Sequence, residues 1–200
     1  EISYNSSFGW HLITSPVGND YNLADVFDLD ESNDNLPAYG YEESLMIINS
    51  NNEIDMNAGI YIDYNIANPG EFSGEVHTES YSIVVNSGWN LIGNPLVSTV
   101  NIDSIVVGGM NWHAAAASGK IAPSPVIFDN GTATHRGVEK LNIGDGFWMY
   151  SYEDDVEVIF PPHIQVDPIP ETGGSNDWKM TILARESDLG YDLFISSMPK

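Results

Sequence analysis

The side chains best equipped for chemistry in this sequence are oxygen donors and aromatic rings. Asp28-Leu29-Asp30-Glu31-Ser32-Asn33-Asp34 sets oxygen-bearing side chains at alternate positions 28, 30, 32 and 34. A hard cation such as calcium gathers about six to eight oxygens, and alternate residues of a turning loop can converge on one. Asp28, Asp30, Ser32 and Asp34 are therefore candidate metal ligands, and calcium is the one cofactor the sequence suggests. The match to an EF-hand loop is partial. Glycine is missing from the sixth position and the twelfth is Tyr39, not glutamate. The same run also reads as a solvated acidic loop. The second candidate is an aromatic platform for carbohydrate. Sugars present flat apolar faces flanked by hydroxyls, which suit rings with carboxylates or amides nearby. Tyr39 and Tyr41 follow the acidic run, and Trp112 stands in Gly109-Met110-Asn111-Trp112-His113. These three are the candidate ligand-binding residues, although Trp112 also fits as a core residue beneath Ala114 to Ala117.

Catalysis has no such foothold. The sequence contains no G-x-S-x-G, no H-E-x-x-H, no Walker loop and no G-x-G-x-x-G. His11, His77, His113, His135 and His163 follow no metal-ligand spacing. No residue is assigned a catalytic role, and the expectation is a protein that is not an enzyme.

The elements that must position these residues read as strands. The chain has 200 residues, with 6 basic and 29 acidic side chains, so its formal charge is 6 − 29 = −23. Such a surface repels phosphate backbones and anionic lipid, which disfavours nucleic-acid partners and electrostatic membrane binding. No run of apolar residues is long enough for a spanning helix, so membrane insertion is not expected. With no cysteine there is no disulfide, thiolate nucleophile or zinc ribbon. The start at Glu1, without a basic or apolar leader, fits an expectation that any signal peptide has been removed. Eighteen glycines and 11 prolines imply many turns. Short β-rich segments such as Trp10 to Thr14, Gly59 to Tyr64, Tyr81 to Val85 and Val156 to Phe160 alternate with turn residues, the pattern of a sandwich or barrel. Val126-Ile127-Phe128 followed by Asp129-Asn130-Gly131-Thr132 predicts a hairpin with a type I′ Asn-Gly turn. A short helix is expected near 111–119, stopped by Gly119.

An internal repeat organises these pieces. Gly9-Trp10-His11-Leu12-Ile13-Thr14-Ser15-Pro16 matches Gly88-Trp89-Asn90-Leu91-Ile92-Gly93-Asn94-Pro95, displaced by 79 positions. A second block, Asn57 to Tyr64, matches Gly144 to Tyr152, and Glu71 to Val76 matches Asp155 to Phe160 more weakly. The chain divides into a first β unit over 4–78, a second over 83–160, a proline-rich connector over 161–177, and 178–200, which are closing strands or the start of a further domain. The expected fold is an all-β sandwich, jelly-roll-like, built from two related units. The repeated Trp10, Trp89 and Trp148 are expected in the core, whereas Trp112, in an insertion peculiar to the second unit, is the tryptophan expected to serve a ligand.

The blocks Gly88 to Pro95 and Ile143-Gly144-Asp145-Gly146-Phe147-Trp148-Met149 resemble the GWNLIGNP and GxGFW β modules of large multimodular bacterial proteins, particularly cargo of the type IX secretion system. The resemblance covers 83–160 well and 4–78 more loosely, where Thr14-Ser15 replaces Gly-Asn and Ile60-Tyr61 replaces Phe-Trp. It implies a secreted or cell-surface location and a non-catalytic accessory role beside neighbouring domains of a parent protein. Within that role a polysaccharide or cell-surface glycan is the expected partner, and a purely structural or adhesive spacer is the alternative.

Overall fold

The computed structural model describes residues 9–29, 36–64, 70–162, 178–187 and 190–198. The fold is all-β with two short helices. In chain order the elements are β1 (Gly9–Ile13), α1 (Leu23–Phe27), β2 (Ala38–Glu42), β3 (Ser44–Ile48), β4 (Ile60–Tyr64), β5 (Glu71–Gly74), β6 (Tyr81–Val85), β7 (Gly88–Gly93), β8 (Val100–Asn101), β9 (Val106–Val107), β10 (Met110–Asn111), α2 (Trp112–Ala117), β11 (Val126–Asp129), β12 (Thr134–Gly137), β13 (Lys140–Leu141), β14 (Gly146–Ser151), β15 (Val156–Phe160), β16 (Trp178–Ser187) and β17 (Gly190–Met198).

The repeat becomes two sheets of one design. The first runs β1-β4-β2-β3 and the second β7-β14-β11-β12, all antiparallel. Register fixes the correspondence residue by residue. Ile13 faces Ile60 as Ile92 faces Phe147, and Tyr39 faces Tyr61 as Val126 faces Trp148. Strand alternation then sends Ile60 and Ile62, or Phe147 and Met149, to one side, where all four are buried. Each unit covers that side with its own second layer. In the first, α1 and β5 help close a core around Leu23, Val26, Phe27, Ile60, Ile62 and Phe72. In the second, the sheet β10-β9-β15-β6 and α2 enclose a larger core containing Trp112, Phe147, Val158 and Phe160. β16 pairs with β5 and with β17, so the C-terminal segment closes the first unit's outer sheet.

The helices are short and locally capped. The Asn22 side chain accepts from the Asp25 N–H, and the Asn111 side chain accepts from the Ala114 N–H, both at 2.8 Å. The Asn-Gly hairpin forms, but not with the predicted turn. Asp129 pairs with Thr134, leaving a four-residue loop over 130–133 in which Ala133 takes the positive φ of 50°. Asn130 is instead used as a tether: its Nδ2 donates to the Trp10 carbonyl of the other unit at 3.0 Å.

The two units meet about a pseudo-two-fold axis. Ile13 bridges to Asp145, and its counterpart Ile92 bridges to Ala58. The Thr14 N–H donates to the Gly144 carbonyl, and the Gly93 N–H donates to the Asn57 carbonyl, each at 3.0 Å. These contacts are reciprocal, as in an isologous interface. Thr14 and Gly93 are themselves counterparts and lie against each other. A Cβ on Gly93 would stand 2.1 Å from the Thr14 hydroxyl oxygen. On such an axis two side chains cannot occupy one place, so one copy of the repeat carries threonine and the other glycine. The Thr14 hydroxyl sits within 3.2 Å of the Met56 carbonyl and 3.0 Å of the Ala58 carbonyl, which satisfies its burial. We predict that Gly93→Ala destabilises the protein by about 2–4 kcal/mol, and that the penalty shrinks sharply in a Thr14→Gly background. Urea unfolding of the double-mutant cycle measures this, and additive penalties would refute it.

A second consequence concerns charge. Burial pushes the Asp145 carboxyl above the usual carboxylate range, opposed by the Asn142 N–H that it accepts at 2.7 Å. A raised folded-state pKa gives stability that is complete at acid pH and lost as pH rises through that value. Asp145→Asn keeps an acceptor for Asn142 and removes the charge. We expect it to be more stable than the parent at about pH 7 and no more stable at about pH 3, as read from urea midpoints.

Candidate functional site

Between the two sheets, on the faces turned away from both cores, lies an open cleft of about 690 Å³. Its wall is built from counterpart residues of the two units. Trp10 pairs with Trp89, Tyr39 with Val126, and Tyr41 with Phe128; Leu45 pairs with His135, and Tyr61 with Trp148. Every lining residue thus has its equivalent on the opposite wall. The alternation that sends Phe147 and Ile60 into the cores delivers Trp148 and Tyr61 here.

The rings interlock across the axis. Tyr41 meets Trp148 edge-to-face with centroids 4.8 Å apart, and the reciprocal pair, Phe128 and Tyr61, meets at 5.9 Å. Trp10 leans on Tyr39 at 5.6 Å, and Trp89 meets Trp148 at 6.1 Å. Symmetry breaks where Tyr61 and Trp148 meet. The Trp148 indole N–H donates to the Tyr61 hydroxyl at 2.9 Å, and that hydroxyl makes a short hydrogen bond with His135 Nε2. An indole N–H only donates, so the tyrosine proton is free to point to the imidazole. Burial pushes the Tyr61 hydroxyl pKa up, and the Trp148 bond partly offsets this. The Tyr61 hydroxyl is thus satisfied internally, in a wall made mainly of aromatic rings. Among the described residues, no carboxylate, amide, lysine or arginine lines the cleft.

The structure rearranges the sequence-derived site. Tyr39 and Tyr41 lie side by side on β2 and line the cleft. Trp112 does not join them. It is fully buried, its Nε1 donates to the Pro123 carbonyl at 3.1 Å, and its ring packs against Phe147 beneath the sheet. Its offer to a ligand is withdrawn because both its ring faces and its N–H are used internally. The repeated tryptophans reverse their expected role too. Trp10 and Trp89 are 37% and 48% exposed, and with Trp148 they line the cleft. Of the calcium candidates, Asp28 ends α1 in a left-handed conformation, with φ and ψ both 50°. Asp30, Ser32 and Asp34 lie outside the described residues. Among the described residues no group of acidic and histidine side chains is arranged to hold a metal. Sequence reasoning missed Trp10, Leu45, Tyr61, Trp89, Val126, Phe128, His135 and Trp148 as site residues. The available signal was the repeat itself, since both copies carry an aromatic one position after the equivalent core residue, Ile60 or Phe147.

Comparison with protein-family models, curated proteins and solved structures finds no match. The site's chemistry must therefore be argued from its geometry. Trp112→Ala is expected to cost about 3–5 kcal/mol of stability, the range for a large buried ring, whereas Trp89→Ala should cost far less. Equal losses in thermal or urea unfolding would contradict this division of labour.

Proposed function

We propose that this chain is a non-catalytic binding module, an accessory unit of a larger secreted or cell-surface protein, whose cleft takes a ligand by an apolar or aromatic face. The observation that carries this reading is the cleft wall. A chain with formal charge −23 keeps charged side chains off one concave surface and leaves Trp10 and Trp89 half-exposed on it. Leaving large rings in water forgoes about 25 cal/mol for each Å² that could have been buried, so an aromatic concavity of this size is the mark of a site. A spacer would hide those rings. The secreted setting rests on the resemblance of the Gly88 to Pro95 and Gly144 to Met149 blocks to secreted multimodular proteins.

Glycan binding is a second reading, favoured by the exposure of Trp10 and Trp89, whose faces suit sugar stacking. The missing amides and carboxylates weigh against it, because sugar hydroxyls need such partners when desolvated. Nile red, a neutral apolar dye, separates binding module from spacer. Saturable emission enhancement is expected in the parent, with affinity reduced about tenfold in Trp10→Ala/Trp89→Ala and stability little changed. An unsaturable response, or one indifferent to both substitutions, would count against the cleft. A glycan array screened with the same pair would favour sugar only if parent binding is lost in the variant.

A further inference from the structure

The two sheets are equivalent in design but not at their outer edges. β3 is the last strand of the first sheet and pairs only with β2 among the described residues. Its Leu45, Met46 and Ile47 are 60%, 41% and 74% exposed. The equivalent strand of the second sheet, β12, reads Thr-His-Arg-Gly, and its Arg136 donates to Asp129 at 2.9 Å. Sheets guard their edges with charge, because an open row of N–H and C=O groups templates further pairing. One edge here is guarded and its counterpart is bare and apolar on both faces. Leu45 also lines the cleft, and strand alternation places Ile47 on the same side. Edge and cleft form one continuous surface.

We propose that β3 is a docking edge to which an extended polypeptide of a partner adds as a fifth strand, sending alternate apolar or aromatic side chains into the cleft. This rests on the cleft being a binding site. Strand addition supplies affinity through main-chain hydrogen bonds, and the pockets for alternate side chains supply selectivity. Charge defines the partner further. Glu42 and Glu43 stand at one end of β3, Glu53 lies beyond the other, and Asp63 lies two residues from Tyr61 on the cleft side of β4. No lysine or arginine occurs between residues 9 and 119, so a partner segment with lysine or arginine flanking its apolar core is complementary. A second copy of this chain is a poorer occupant, since it brings the same charge of −23 and no lysine or arginine in the sequence flanking its own β3.

The test uses a labelled synthetic peptide of about ten residues, with valine and phenylalanine at alternate positions and lysines at both ends. Two further versions carry N-methyl groups on alternate backbone amides, in the two possible phases. In an added strand only one phase of amides points at β3. Fluorescence anisotropy should show one methylated version losing about tenfold or more in affinity while the other is retained. Ile47→Lys should weaken the parent peptide about tenfold with its urea unfolding midpoint little changed, which certifies the variant's fold. Amide hydrogen exchange across 44–48 should slow on peptide addition. Equal behaviour of the two methylated versions, indifference to Ile47→Lys, or unchanged exchange overturns strand addition. If Nile red binds the cleft and the peptide does not bind, strand addition fails and the cleft reading stands; if neither binds, both fail. A concentration-dependent dimer in sedimentation, abolished by Ile47→Lys, assigns the edge to a second copy and also overturns the proposal.

Discussion

Thr14 against Gly93 is the contact on which the arrangement of this molecule depends. Two strands from equivalent units approach there until a single side chain fills the space between their backbones. Gly59 and Gly146 show the same constraint a little further out. A Cβ at either would stand 2.6 or 2.7 Å from the carbonyl oxygen of Ile92 or Ile13, again as reciprocal partners. Backbone cannot yield as a side chain can, so the separation of the units at this end is set by peptide groups and not by adjustable packing. The reciprocal hydrogen bonds of Thr14 and Gly93 then fix direction as well as distance.

The cleft follows from that junction. Units held closely at one end, with strands that twist away from it, diverge along their aromatic faces. The divergence is limited by rings that meet across the axis, Tyr41 with Trp148 and Phe128 with Tyr61. Each unit retains its own core, so the aromatic faces are not required to close over one another for either unit to be stable. A single shared core would have consumed the surface that the cleft exposes.

Much of this was legible in the sequence, and the failures have definite causes. The all-β class, the strands at 81–85 and 156–160 and the short helix near 111–119 follow from alternation and turn chemistry. β2 is not evident from sequence because Ala-Tyr-Gly-Tyr-Glu mixes a glycine with acidic neighbours; its two tyrosines stand out as rings, and only the structure makes them one face of a strand. The general preference of tryptophan for burial points Trp10, Trp89 and Trp148 inward. Periodicity says which residues share a face but not which face meets water, and in a strand sandwiched between a core and a cleft both faces are apolar. Trp112 misled for the converse reason. Its insertion looked like an addition for function, while α2 and its tryptophan serve to close the larger core of the second unit. Pattern reading does not reveal the axis, although one of the differences between the two copies, threonine at position 14 against glycine at 93, is its direct trace.

In the proposed binding role, acidity and apolarity would divide the work of recognition between them. Among the described residues no carboxylate lines the cleft wall, so the acidic side chains would act on a ligand there through their field. Their field acts over roughly 10 Å at about 0.1 M salt, a range that guides approach and is erased by further salt. Contacts in the wall act only at touching distance and are indifferent to salt. A partner with a cationic margin and an apolar centre would meet the first influence before the second, with encounter rate set by the carboxylates and residence time by the rings. The Tyr61 hydroxyl in the wall, held between Trp148 and His135, is already satisfied. It therefore imposes no desolvation penalty on an apolar occupant, which a free hydroxyl at the same place would do.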